Sequence, residues 1–177
     1  MEVRILRAPT DADWTRCYHL ATATTGNARD AVPSLAWRKS ILKAGHSPIR
    51  SLWWTIELVD IPYWVSVHLV RHKVGVEHYV RSQRNDRQHD YDRTKAPQDA
   101  PVTHVIDINA QALMQMMRMR LCMKAAPETR AVAEAIRDAV LVMSPELDGL
   151  LAPTCERYGT CDEMRPCGRM EVNDGRR

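Results

Sequence analysis

Hydrophobic and polar positions follow two different periods along this chain, and each period predicts one kind of element. Apolar residues at three- and four-residue spacing are typical of amphipathic helices, whereas runs of aromatic and β-branched residues are typical of buried strands. The low apolar content of residues 86–103 predicts a loop. The predicted helices and strands, in chain order, are a strand at 3–6, helices at 11–25 and 33–44, a strand at 51–59, a helix from 60–62 to 73, and helices at 108–125 and 128–143.

Glycine and proline mark the boundaries between these elements. Gly45 and Pro48 fall together between the second helix and the following strand, as in a chain-breaking cluster. Asp60 comes shortly before Pro62, so Asp60 is a candidate N-cap and Pro62 a candidate first-turn residue of the third helix. Pro127 separates the last two helices.

Composition places the chain among ordinary globular proteins. Its 177 residues suit one domain, and 45% of them are apolar and 27% charged. No apolar run approaches the roughly 20 residues that span a bilayer, and the N-terminus lacks the apolar segment of a signal peptide. We therefore expect a cytoplasmic protein without a membrane partner.

The basic residues are concentrated rather than spread. The net charge is only +3, yet seven arginines and lysines fall within residues 68–95. This pattern favours a local anion site over a long polyanion groove, so it argues against a nucleic-acid partner. Ser82, Gln83 and Arg84 place a hydroxyl, an amide and a guanidinium side by side, a set that can hold a phosphate in a turn.

Two histidines and two cations stand near the predicted end of the third helix. His68 and His72 are four residues apart and share a helix face, a spacing compatible with a metal but more often found in capping or core contacts. Arg71 and Lys73 flank His72, where cations also complement the helix dipole. With the arginines that follow, an anion-binding role is favoured.

Asn109 and Arg120 are eleven residues apart, and both are predicted to lie on one helix. At 100° per residue they face the same side, roughly 16 Å apart. Glu128 begins the next helix, so Arg120 and Glu128 can meet across Pro127. The alternative is a solvated arginine face with Glu128 serving only to start its helix.

The chain has five cysteines, an odd number that argues against a disulfide framework in a cytosolic protein. The last three have five residues between neighbours, wider than the usual spacing of paired zinc ligands. A fourth ligand from elsewhere is needed to complete a metal site, so metal binding and plain reduced thiols both stay open. The cysteines are Cys17, Cys122, Cys155, Cys161 and Cys167.

Four segments, in order, resemble motifs of the flavin-dependent thymidylate synthases. RHK at 71–73, then eight residues, then SQR at 82–84 resembles the family's Arg-His-Arg, about seven residues, and Ser-x-Arg. NAQAL at 109–113 resembles Asn-Ala-Arg-Ser-Leu, and Arg120 stands where the family has an arginine eleven residues after that Asn. AAPETR at 125–130 resembles Ala-Gln-x-Glu-Ile-Arg.

The resemblance covers about residues 45–152 and implies an α+β fold, with helices packed around a small, mainly antiparallel sheet. It divides the chain into one domain at 1–152 and a cysteine-containing tail at 153–177. It implies FAD-dependent reductive methylation of dUMP to dTMP, with NADPH and methylenetetrahydrofolate as co-substrates. It also implies a homotetramer whose active sites are shared between subunits.

The resemblance assigns roles to individual residues. The implied cofactor-binding residues are Arg71, His72, Lys73 and Asn109. The implied nucleotide-binding residues are Ser82, Gln83, Arg84, His68 and Arg120. Arg120 is also the implied catalytic residue, because a fixed guanidinium beside the pyrimidine stabilises the negative charge that builds on the ring.

Several positions depart from the family pattern. Lys73 replaces an arginine, His68 replaces a glutamine, and Gln111 replaces the arginine of Asn-Ala-Arg. The family's Ser-Pro-x-Glu-His is represented by SPIRS at 47–51, which puts Arg50 at the Glu position and loses the histidine. These departures bear on FAD binding and on the identity of the nucleotide more than on the fold.

Three other functions compete with this one. One is C5 modification of a different pyrimidine nucleotide, and another is a non-catalytic homologue that binds a nucleotide or nucleic acid. The third is a metal-stapled structural protein that uses the terminal cysteines. Bound flavin, retained nucleic acid and stoichiometric zinc or iron distinguish them.

Overall fold

A computed structural model describes residues 1–88 and 91–170 of the chain. Among them four strands form one antiparallel sheet, and six α-helices accompany it. The strands are β1 (Glu2–Arg7), β2 (Trp53–Pro62), β3 (Val76–Val80) and β4 (Pro101–Asn109). The helices are α1 (Asp11–Ala23), α2 (Leu35–Ala44), α3 (Tyr63–Leu69), α4 (Ala110–Arg120), α5 (Pro127–Met143) and α6 (Thr154–Tyr158). The expected α+β fold with a small antiparallel sheet is confirmed.

The strand order is β1-β2-β4-β3, so the two longest strands form the centre of the sheet. Inward positions of β2 alternate with solvent-facing ones and bury Trp54, Ile56 and Leu58. The indole Nε1 of Trp54 donates to Ser144 Oγ at 3.0 Å, so this large side chain is buried without losing its hydrogen bond. The helices and the sheet close over a single hydrophobic cluster.

The prediction that residues 101–109 belong partly to a loop and partly to a helix is wrong. They form β4, whose inward positions carry Val102, His104, Ile106 and Ile108. The alternation was hidden because a histidine occupies one inward position. The strand also runs into α4 without a connecting loop, so its apolar residues merge with the helical pattern.

The third helix begins later and ends earlier than predicted. β2 continues to Pro62, which stands at the N-cap of α3, so Asp60 is not the cap. Asp60 instead lies in an irregularity of the β2–β4 register with a φ of 55°. α3 ends at Leu69, and the chain turns before β3, an edge strand that the apolar pattern did not predict. This turn, residues 70–75, carries the cationic motif.

Within the part of the chain that the structure describes, no helix is both long enough and apolar enough to cross a bilayer.

Candidate functional site

A cleft of about 780 Å³ opens between the end of α2, the turn after α3 and the start of α4. Its size falls within the roughly 300–1,000 Å³ that is usual for small-molecule sites. All four residues that were expected to bind a cofactor line it: Arg71, His72, Lys73 and Asn109. The cleft therefore brings the RHK segment and the start of the NAQAL segment together.

Gly75 lets the turn approach α4 closely. Its φ is +73°, and a Cβ added to it would lie 2.9 Å from Asn109 Cγ. The Gly75 carbonyl accepts a hydrogen bond from Asn109 N at 2.9 Å, and the Asn109 side chain accepts one from Ala112 N at 3.0 Å. Asn109 thus caps α4 and joins that helix to the turn.

The prediction that Asn109 and Arg120 lie on one helix is wrong, because Asn109 ends β4 and is the N-cap of α4. The two residues still mark opposite ends of that helix. Arg120 does not pair with Glu128, which lies exposed in the first turn of α5. Arg120 binds two histidine residues of the α3 region instead.

The Arg120 guanidinium is held by two hydrogen bonds. Its Nε donates to His72 Nε2 at 3.0 Å, and its Nη2 donates to the backbone carbonyl of His68 at 2.6 Å. Burial and the nearby Arg71 lower the Arg120 pKa, yet an arginine keeps its charge at any physiological pH. Arg120 does not itself line the cleft; its guanidinium is fixed in position behind His72, which does.

His72 is neutral in this arrangement. Its Nε2 accepts from Arg120, so the ring proton is on Nδ1. Burial lowers the His72 pKa to about 4, and the charges of Arg120 and His78 lower it in the same direction. A protonated ring would place an N–H against the Arg120 N–H, so the neutral form is required for this contact.

A second histidine pair supports the turn from behind. His78 Nε2 lies 2.8 Å from the His72 carbonyl, which can only accept, so this nitrogen carries the proton. His78 Nδ1 lies 2.9 Å from His104 Nε2, and with the His78 proton on Nε2 it accepts from His104. That assignment leaves His104 Nδ1 as an acceptor, and it is buried without a partner among the described residues. Burial, then the His78 charge, lower the His104 pKa to about 4.

The role predicted for His68 in nucleotide binding stays a prediction, and its side chain contacts residues of α5 and α3. His68 Nδ1 lies 3.0 Å from Thr129 Oγ1, and its ring packs edge-on against Trp64 with centroids 5.2 Å apart. Burial, Arg120 and Arg71 lower its pKa. In this chain His68 contributes its backbone carbonyl to hold Arg120.

Two positions that depart from the family pattern contact each other in the cleft. Arg50 Nε donates a hydrogen bond to Gln111 Oε1, and both residues line the cleft wall. The family pattern has Glu at the first position and Arg at the second, so here the guanidinium has moved from α4 to the segment after α2. The cleft therefore carries a cation at Arg50 in place of the one that the family pattern has at position 111.

Ser82, Gln83 and Arg84 do not line this cleft. They follow β3 at its far end, where Arg84 N donates to Ser82 Oγ at 3.3 Å. Arg84 forms a two-bond pair with Asp86, at 2.9 Å from Nε and 2.8 Å from Nη2. The role predicted for these three residues in nucleotide binding stays a prediction.

The remaining wall of the cleft was not anticipated from sequence. Lys43 at the end of α2 and Arg157 and Tyr158 in α6 line it. None of the three lies in a motif, and only the fold brings them to the cleft.

Three of the cysteines meet elsewhere. Cys122, Cys155 and Cys161 line a small cavity between the end of α4 and α6, and burial raises the Cys122 pKa. All five cysteines are free thiols. In the described ranges no three His, Cys, Asp or Glu side chains are grouped to hold a metal ion.

Comparisons with known proteins agree with the resemblance and with the fold. The family model described as "Thymidylate synthase complementing protein" matches residues 86–146. A curated flavin-dependent thymidylate synthase from Nitratidesulfovibrio vulgaris is 37% identical over 75 residues, which is 41% of this chain and 31% of that protein. Over this part of its length the chain resembles the flavin-dependent thymidylate synthases.

Solved structures of flavin-dependent thymidylate synthases share the fold at low identity. One from Helicobacter pylori, complexed with FAD and dUMP, superposes with a TM-score of 0.62 at 15% identity, covering 78% of this chain and 93% of that one. The UMP/dUMP methylase PolB from Streptomyces cacaoi, bound with 5-Br dUMP, gives 0.61 at 15% identity, covering 81% and 91%. The chain spans about a third of the curated relative it matches, so activity does not transfer with the fold.

Proposed function

We propose that the protein catalyses FAD-dependent reductive methylation of dUMP to dTMP, with methylenetetrahydrofolate as carbon donor and NADPH as reductant. The proposal rests on one observation above all: Arg120 is held by the His68 carbonyl and by His72, and His72 lines a cationic cleft together with Arg71 and Lys73. The family and its fold support it, and the reaction and the cytoplasmic location are inferences from them.

The cleft suits a flavin dinucleotide. Five of its lining residues carry a positive charge, and none of the described lining residues is acidic. Such a lining favours a diphosphate. The cations are Lys43, Arg50, Arg71, Lys73 and Arg157. FAD would supply the redox chemistry there, which the protein only positions.

Arg120 has the most demanding role in the proposal. Its Nε and Nη2 protons are used by His72 and the His68 carbonyl, which leaves the Nη1 side without a partner among the described residues. Directed at the pyrimidine ring, this fixed donor stabilises charge that develops only in the transition state. His72 must stay neutral to keep it in place.

The proposal gives a role in nucleotide binding to Ser82, Gln83 and Arg84 only when subunits assemble. They lie away from the cleft of their own subunit, so we assign them to the phosphate of a nucleotide bound in a neighbouring subunit of a homotetramer. Shared sites of this kind are what the family resemblance implies.

Rescue of a thymidine-requiring bacterium tests the proposed reaction. The wild-type gene should restore growth without thymidine, and the purified protein should be yellow from bound flavin. Arg120→Ala should abolish rescue, and Arg120→Lys should stay defective because an ammonium lacks the planar fork that reaches both histidine residues and the ring. Equal rescue by Arg120→Ala and the wild type would refute the role of Arg120.

A second substrate is examined in the same assay. Because one fold relative is named a UMP/dUMP methylase, methylation of UMP should be measured beside that of dUMP. Methylation of UMP alone would assign the protein to the alternative, C5 modification of another pyrimidine nucleotide.

A further inference from the structure

The cleft has a wall that lies outside the motif-bearing region of the chain. Arg157 and Tyr158 belong to α6, beyond residue 152 where the family resemblance ends, yet both line the same cleft as the cationic turn. No motif and no comparison assigns them a role. The tail therefore takes part in the site as well as following the domain.

α6 is held in place by contacts on its other side. Arg118 of α4 donates to Thr154 Oγ1 at 3.4 Å and pairs with Asp162 beyond the helix. Glu156 pairs with Arg169 at 2.7 Å. Leu151, just before the helix, is buried in the core cluster. The segment is thus docked independently of its two cleft-lining side chains.

Arg157 brings positive charge to the cleft without a counterion. The neighbouring arginines Arg118 and Arg169 each pair with an acidic residue of the tail, but Arg157 forms no salt bridge among the described residues. It joins Arg71 and Lys73 across a cleft with no acidic lining residue in the described chain. Five cations held around one space repel each other, and an anion relieves that repulsion.

Tyr158 presents an aromatic ring at the same wall. The residue is 61% exposed although it has a large apolar ring. The Arg157 Cζ lies 5.0 Å from the ring centroid, so the guanidinium covers one face and orients the ring. Because most of the side chain is exposed, the ring is accessible to a planar group.

We propose that Arg157 and Tyr158 form a subsite for the ligand of the cleft, in which Arg157 binds a phosphate and Tyr158 stacks on a planar ring of the same ligand. The chemistry is that of a phosphorylated, ring-bearing compound. Its identification as FAD rests on the proposed function, whereas the anion-binding role of Arg157 does not.

Titration with FAD, followed by flavin fluorescence, tests the subsite on the full chain. Tyr158→Ala should weaken FAD binding by about tenfold, the usual effect of losing one aromatic stacking partner. Arg157→Ala should weaken it by about tenfold or more at low salt, with a smaller effect as salt rises, and Arg157→Lys should retain part of the affinity.

Two matched variants control for general effects. Tyr79→Ala removes a tyrosine that is also 61% exposed but lies on β3, outside the cleft lining. Arg16→Ala removes an exposed arginine of α1 that does not line the cleft. Both should bind FAD as the wild type does. Wild-type affinity in both Arg157→Ala and Tyr158→Ala would overturn the subsite while leaving the proposed function intact.

Inorganic pyrophosphate separates the two proposals. If the wild type binds no FAD, the proposed function fails, and pyrophosphate binding measured by calorimetry decides the subsite. Binding that is lost in Arg157→Ala but kept in Arg16→Ala would support Arg157 as an anion ligand. Absence of pyrophosphate binding, or equal binding by Arg157→Ala, would refute it.

Discussion

His104 is fully buried in the core, and one of its ring nitrogens has no hydrogen-bond partner among the described residues. A neutral ring tolerates that position and a charged ring does not, which is why its pKa falls to about 4 from 6.5. Between pH 4 and pH 6.5, therefore, the His104 ring binds a proton in the unfolded chain but not in the folded chain. Stability is present above pH 6.5 and is lost as the pH falls toward 4.

We expect the free energy of unfolding to drop by about 2 kcal/mol between pH 7 and pH 5 on account of His104 alone. Urea denaturation at the two pH values measures it. His104→Phe, which keeps an aromatic ring but cannot titrate, should flatten the dependence by a similar amount. The same pH dependence in wild type and variant would show that His104 is not the group responsible.

Glycine is required at position 75 for two reasons: its positive φ and the lack of room for a Cβ. The two reasons can be tested separately. Its φ of +73° is matched by the φ of +74° at Gly149, where a Cβ would meet nothing within 4 Å. At Gly75 the Cβ would collide with the Asn109 side chain. Both alanine variants therefore carry the backbone strain, and only one carries the collision.

Gly149→Ala should destabilise the fold by about 1 kcal/mol, and Gly75→Ala should cost clearly more, on the order of 2–3 kcal/mol. Thermal or urea unfolding of the two variants measures the difference. Equal losses would mean that Asn109 moves aside freely and that the close approach of turn and helix is not required.

At the scale of elements, Arg50 after α2 and Gln111 in α4 differ from the family pattern, which has Glu at the first position and Arg at the second. Reversing the two substitutions tests whether they compensate each other. Arg50→Glu puts a carboxylate beside Gln111 and should weaken FAD binding by about tenfold or more, since it replaces a cation with an anion in the cleft. Adding Gln111→Arg restores the family arrangement and should recover most of the affinity. Arg16→Glu, which changes charge by the same amount on α1, should have little effect. A double variant as weak as Arg50→Glu would show that the two positions do not compensate.

Sequence patterns predicted most elements but failed where tertiary contacts override periodicity. α1, α2 and α5 carry their own signals: the Thr10 cap and its partner Asp13, Gly45 at the end of α2, and Pro127 at the start of α5. β4 has no such marks, because His104 takes an inward position that only its pairing with His78 makes acceptable. Hydrophobic periodicity counted over short windows does not detect the junction between β4 and α4 at Asn109.

At the scale of the whole molecule, the motif residues were predictable and their surroundings were not. Arg71, His72, Lys73 and Asn109 were expected to share a site, and the fold does bring them together. Lys43, Arg157 and Tyr158 reach the same cleft from segments with no local signal, since only packing of α2 and α6 against the turn places them there. Contacts of this kind depend on distances in the folded chain, and the spacing of residues along the sequence does not predict them.

Separation of Arg84 from Arg120 within one subunit leads to the last prediction. If sites are shared in a homotetramer, Arg84→Ala and Arg120→Ala should each abolish dUMP methylation alone. Co-refolding or co-expression of the two variants should restore measurable activity, because some sites then combine an intact Arg120 from one subunit with an intact Arg84 from another. Mixing the two variants after each has assembled, without subunit exchange, is the control and should stay inactive. Activity that never recovers in mixed assemblies, although hetero-oligomers are present by mass spectrometry, would contradict the shared site and place both arginines in the same subunit's chemistry.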